Sequence, residues 1–267
     1  MGKTTLALYI LEKTADSSAY LNWDIDRDRQ TILRNELPAA KLLVFDEIHK
    51  YARWRRWHRE RQSRVLNEDL ISLERVNEVS LLELLYTVLL DRVASPLSLQ
   101  SLREELQVSH DSIRRWTTIF DNLYLTFRIS PYGAPSIRAV KKEQKLYFWD
   151  WSVLKDIGAK FENLVACQLL KYCHYLEDTE GYDMELRYLR DTDKREVDLV
   201  VIRDRVPLFA VECKVSDRAL SPHLKYFKER LSIPSYYQVH LGNKDYESAN
   251  GIRMIPFSTF VRELELP

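Results

Sequence analysis

The chain has 267 residues with 40 basic and 40 acidic side chains, so its formal charge is zero and any affinity for nucleic acid must come from a local patch. Six glycines, against an average usage of roughly 7%, argue against a glycine-rich cradle such as a dinucleotide fingerprint. Three cysteines (Cys167, Cys173, Cys213) show neither a paired framework nor metal-ligand spacing; with no secretory leader visible and Leu81 to Leu90 too short to span a bilayer, a cytoplasmic protein without a membrane segment is expected.

In chain order, the first predicted element is a helix running to about Thr14, opened by Gly2, Lys3 and Thr4. Gly-Lys-Thr at a helix mouth is the second half of a phosphate-binding loop. Backbone N–H groups and the helix N-terminus receive phosphate, Lys3 adds its charge and Thr4 reaches Mg2+. Lys41 to Phe45 reads as an apolar strand ending in Asp46 and Glu47. That pattern supplies a Mg2+ ligand (Asp46) and a water-activating base (Glu47) in many ATPases. The first half of the loop is missing, and no further apolar strand occurs between Tyr51 and Leu81. A nucleotide-binding sheet needs neighbours to bury its faces. Residues 1–56 are therefore read as a partial P-loop segment, a remnant in which ATP would meet Gly2, Lys3, Thr4, Asp46 and Glu47 but would not be hydrolysed.

Residues 57–135 are predicted to be helical. At the boundary, Arg53 to Arg61 is the most basic stretch and carries Trp54 and Trp57. It reads as a phosphate contact with aromatic stacking or as a solvated helix whose indoles dock on a neighbouring domain. From Ser80, Leu81, Leu82, Leu84, Leu85, Val88 and Leu89 make one wide apolar face. Ser98 and Ser109 read as N-caps of two short helices, with a tight turn at Gln107-Val108. A strand at 124–129 completes the outline of a winged helix. Such a domain either presents Ser109, His110, Ser112, Arg114 and Arg115 to a DNA major groove or serves as a rigid connector.

Residues 136–267 carry the strongest chemical signal. A helix is predicted over 161–170, strands over 185–190, 197–202 and 209–215, a helix around 220–231, and strands over 236–241 and 252–255. Two of those strands hold carboxylates that an apolar run should not tolerate: Asp198 in Val197 to Ile202, and Glu212 in Phe209 to Val215. A buried ionised carboxylate is costly unless paired or metal-bound. Residues two apart share a strand face, so Glu212 and Lys214 point together, and a hairpin sets Asp198 beside Glu212. Two carboxylates and an ammonium can bind Mg2+ and hold a water against a phosphate, with Asp198 and Glu212 as ligands and Lys214 orienting the water. The alternative is a buried network in which Lys214 and Arg195 satisfy the carboxylates.

The order helix, three strands, helix, strand resembles the PD-(D/E)XK (restriction-endonuclease-like) nuclease fold, and Arg195 to Asp198 followed by Val211 to Lys214 look like the motif of archaeal Holliday-junction resolvases. That resemblance adds Glu162, on the first helix, as an auxiliary ligand or base. The chain from Gly2 to about Phe260 resembles a family of prokaryotic AAA-type ATPases with a winged helix and a C-terminal PD-(D/E)XK-like domain of unknown function. The resemblance is carried by Tyr20 to Asp24, Phe45 to Tyr51, Ile137 to Lys142, Tyr147 to Trp151 and the carboxylate motif. Relatives continue past the position of Trp54 with a sensor strand and a helical lid, whereas this sequence passes directly into Arg55-Arg56-Trp57. It looks like a truncated, internally deleted member. The resemblance implies an α/β chain acting on nucleic acid, DNA first, through a Mg2+-dependent nuclease-like domain. The alternatives are a non-catalytic regulatory module binding DNA, a protein partner or a second copy, and an ATP-binding protein of the AAA class.

Overall fold

Parallel strands need a long crossover, and the first unit supplies one. In this computed structural model, which describes residues 11, 18–34, 36–40, 42–51, 79–133 and 143–265, β1 (Ser18–Asn22) pairs in parallel with β2 (Leu42–Asp46). The crossover is α1 (Asp26–Arg34), with Asp26 and Asp28 in its first turn, Arg34 in its last and Ile32 buried. Charges so placed complement the helix dipole. The predicted N-terminal helix with Gly2, Lys3 and Thr4, the basic stretch Arg53 to Arg61 and the stretch Ile137 to Lys142 lie outside the described residues. The chain separates into two compact units, Met1–Val79 and Ser80–Pro267.

The second unit opens with three helices: α2 (Val79–Leu90), α3 (Leu99–Leu106) and α4 (His110–Asn122). Ser98 accepts from Ser101 N at 3.2 Å and Ser109 from Ser112 N at 3.0 Å, each satisfying an otherwise orphaned donor of the first turn. Gln107 closes α3 in the left-handed region at φ 52°. Replacing Ser109 by Ala is expected to cost about 1 kcal/mol. Urea unfolding measures this, and an unchanged midpoint would show that the cap contributes nothing.

The strand expected at 124–129 begins two residues later, as β3 (Thr126–Pro131). The turn consumes the difference: Leu123 N and Leu125 N donate to Ile119 O and Phe120 O, and Tyr124 sits at φ 54°. β3 pairs antiparallel with β4 (Lys145–Phe148) and in parallel with β5 (Met184–Arg190) through Ser130 and Pro131. The hairpin of the expected wing is therefore part of a large sheet, and residues on either side of position 135 share it.

Between β4 and β5 runs α5 (Ile157–Glu180), longer than the predicted stretch because Asp156 caps its start through Ala159 N at 2.8 Å. Gly181, at φ 73°, ends it. Then follow β6 (Glu196–Arg203), β7 (Val206–Lys214), α6 (Pro222–Lys228), β8 (Ser235–His240), β9 (Tyr246–Glu247), β10 (Arg253–Pro256) and α7 (Phe257–Glu263). The eight-stranded sheet has the order β4-β3-β5-β6-β7-β8-β10-β9. β5, β6 and β7 form an antiparallel meander, while β8 lies parallel to both β7 and β10. Leu189, Val200, Ala210, Leu224, Phe227, Tyr236 and Ile252 make a core between the sheet and α6, and Tyr172 of α5 packs on Phe209. The described chain is thus mixed α/β, with seven helices and one large mixed sheet. Among the described residues no helix is long and apolar enough to cross a membrane.

Candidate functional site

Antiparallel register pairs Leu199 with Val211, so one further step sets Asp198 across from Glu212. A register shift between Arg187 and Leu189 falls opposite the same stretch of β6. Irregularities of this kind re-aim side chains at a strand end. Asp198 is 9% exposed, and its Oδ2 accepts from Cys213 N at 2.8 Å.

The centre of the cluster is a residue that the sequence did not flag. Lys145 of β4 is fully buried, with its Nζ 2.6 Å from Glu196 Oε1, 3.0 Å from Glu162 Oε1 and 3.6 Å from Asp198 Oδ1. Tyr147, two residues along the same strand, donates its hydroxyl to Glu162 Oε1 at 2.8 Å. Glu196 Oε2 accepts from Arg190 Nη1 at 2.6 Å. Burial works against the Lys145 ammonium, but Glu162, Asp198 and Glu196 outweigh it and hold its pKa well above the ordinary lysine value. Burial, with the Asp198 charge second, pushes Glu162 up to about 7.

Glu212 occupies the other half of the centre. Its Oε1 meets Lys214 Nζ at 2.8 Å, while its Oε2 is buried without a hydrogen-bond partner. Burial, then Asp198, raises Glu212 to about 8. In the parallel register Lys214 faces His240, whose two ring nitrogens are also buried and unpartnered.

All four residues expected at the site, Glu162, Asp198, Glu212 and Lys214, belong to this one neighbourhood. Glu162 and Asp198 share Lys145, Glu212 feels the charge of Asp198, and Lys214 pairs with Glu212. Arg195, the other cation expected to satisfy them, is instead tied to Asp191 and Asp193. Its place is taken by Lys145. Lys145, Tyr147 and Glu196 were missed, although a lone charge in the apolar run Lys145 to Phe148 carried the same signal as Asp198.

A divalent cation would need the space and charge that Lys145 uses. Among the described residues no group of three or more His, Cys, Asp or Glu side chains is arranged to hold a metal ion. With the ammonium at 2.6 and 3.0 Å from two carboxylates and Asp198 Oδ2 held by a backbone N–H, the donor set does not fit Mg2+, which prefers near-octahedral oxygen coordination.

In the first unit, Asp46 accepts from the Tyr20 hydroxyl at 2.6 Å and from Glu47 N at 3.0 Å. Glu47, at φ 54°, pairs with Lys50 at 3.0 Å. On α4, His110, Arg114 and Arg115 are exposed, Arg114 lies 3.2 Å from Asp111, and the Ser109 and Ser112 hydroxyls are 2.8 Å apart.

Residues 44–162 match the profile of a domain of unknown function (DUF8612). Residues 157–260 match a second domain of unknown function (DUF4143), which is found in AAA-ATPase-associated proteins. No curated protein and no solved structure matches the chain.

Proposed function

We propose that the unit Ser80–Pro267 is a non-catalytic nucleic-acid-binding module whose nuclease-like carboxylate centre is neutralised from within. The observation that carries this reading is the Lys145 ammonium, fully buried among Glu162, Glu196 and Asp198. A fixed internal cation balances the carboxylates without a metal, and the centre then holds β4, α5 and β6 together. Support for nucleic acid as the partner comes from α3 and α4, two short capped helices joined by a tight turn, with His110, Arg114 and Arg115 exposed on the second. That DUF4143 domains are found in AAA-ATPase-associated proteins supports a role beside a nucleotide-driven partner.

Fluorescence anisotropy with labelled duplex and single-stranded oligonucleotides tests the reading. Binding is expected to need no divalent metal, to leave the oligonucleotide intact, and to lose about one unit of log–log salt slope per phosphate contact in Arg114→Ala and Arg115→Ala. Cleavage that Asp198→Ala abolishes would overturn it.

The unpartnered Glu212 Oε2 favours a second reading, Mg2+-dependent phosphodiester hydrolysis, which requires the Lys145 ammonium to leave the carboxylates. Under it, Mg2+ or Mn2+ raises the melting temperature of the wild-type protein, whereas the first reading expects no response. ATP binding by residues 1–56 is a third reading, carried only by saturable binding that Lys3→Ala removes.

A further inference from the structure

Tyr226 of α6 lies between two guanidiniums. Arg195 Cζ is 3.9 Å and Arg230 Cζ 3.8 Å from the centroid of its ring. Two guanidinium carbons so close to one centroid would overlap on the same side, so they occupy opposite faces. Neither arginine is loosely held. Asp191, 3% exposed, accepts from Asp193 N at 3.0 Å, Arg195 N at 2.9 Å and Arg195 Nε at 2.8 Å, which fixes the turn that delivers Arg195. Arg195 Nη2 donates to the Tyr226 hydroxyl at 3.1 Å and to Asp193. Arg230 Nη1 donates to Tyr226 O at 3.0 Å and to Glu229 Oε2 at 3.3 Å. Among the described residues, Arg195 Nη1 and Arg230 Nε and Nη2 have no partner, although both arginines are partly exposed.

We propose that Arg195 and Arg230, spaced by the Tyr226 ring, form a site for the phosphodiester oxyanions of a nucleic-acid strand. Arg230 keeps a free Nε–Nη2 fork that matches phosphate geometry, Arg195 adds the single donor Nη1, and the rotamer entropy that usually opposes binding is already spent in the ring and carboxylate contacts. Asp191, Asp193 and Glu229 outnumber the two guanidiniums, so binding rests on the directed donors Arg195 Nη1 and Arg230 Nε and Nη2 and not on the net field of the site. Arg195 immediately precedes Glu196 of the carboxylate centre, which places this contact at the same end of β6. The assignment rests on the nucleic-acid reading above and adds the residues that hold the backbone.

The test is anisotropy of a labelled mixed-sequence oligonucleotide with the full chain across a salt series. Arg230→Gln and Arg195→Gln should each weaken binding on the order of fivefold at 0.1 M salt and reduce the log–log slope by about 0.7–0.9. Tyr226→Leu should weaken binding, and Tyr226→Phe, which keeps the ring, should restore it. Arg205→Gln, an exposed arginine at the far end of β6, should leave the slope unchanged. Melting curves establish that each variant is folded. Wild-type binding with an unchanged slope in folded Arg230→Gln would overturn this assignment alone, and absence of wild-type binding would overturn it together with the nucleic-acid reading. Competition by polyglutamate as strong as by unlabelled oligonucleotide would reassign the pair to acidic protein segments.

Discussion

Replacing Lys145 by methionine is expected to destabilise the Ser80–Pro267 unit by about 3–5 kcal/mol, the scale for stranding buried charge by removing one partner of a pair. Methionine fills much of the lysine stem, so the loss reports charge and not a cavity. Three carboxylates then face one another, with the Tyr147 hydroxyl on Glu162, Arg190 on Glu196 and Cys213 N on Asp198 in partial compensation. Lys214→Met is the comparison. That ammonium is 46% exposed, and its loss should cost about 1 kcal/mol or less. Guanidinium unfolding at neutral pH measures both. In Lys145→Met, Glu196→Gln should recover part of the loss, because the two sites share one interaction and their effects are not additive. Added Mn2+ should stabilise Lys145→Met and leave the wild type unmoved. A loss below about 1 kcal/mol in Lys145→Met would show that the carboxylates are satisfied without it, and the internal-cation account would fall.

Stability should also fall as pH rises from about 5 to 8.5, which runs against the usual behaviour of ion-paired carboxylates. The folded protein holds a proton on Glu212 up to about 8 and on Glu162 up to about 7, while the unfolded chain releases both near the ordinary value of 4.5. Between those limits the folded state binds more protons than the unfolded state. The contribution is therefore fully present below the unfolded value and is lost as pH climbs through the folded one. For Glu212 the loss is on the order of 4 kcal/mol. Glu212→Gln fixes the neutral form at that position, so its stability should fall less steeply over that range, with only the Glu162 contribution remaining, and should equal or exceed the wild type at pH 8.5. Denaturant midpoints at half-unit pH steps decide the matter. A wild-type stability that rises toward pH 8.5 would show that Lys214 and Lys145 keep both carboxylates ionised throughout.

The sequence by itself determined what local chemistry controls. Ser98 and Ser109 cap their helices because a hydroxyl three residues ahead of an orphaned N–H needs no other part of the chain. The strands expected over 185–190, 197–202 and 209–215 follow from apolar runs cut by turns, and the suspicion attached to Asp198 and Glu212 follows from the cost of burying a charge. Tertiary structure alone decided which cation answers those carboxylates. Arg195 was the obvious neighbour in sequence, but the tight turn around Asp191 captures it, and a lysine from a strand that precedes α5 in the chain takes the position. Pairing of that kind depends on where β4 docks in the sheet, and β4 docks through β3, a strand expected to belong to a separate wing. Nothing in the local pattern of Lys145 to Phe148 encodes that placement. It follows from long-range strand order, which brings one ammonium within 4 Å of three carboxylates drawn from one helix and one strand.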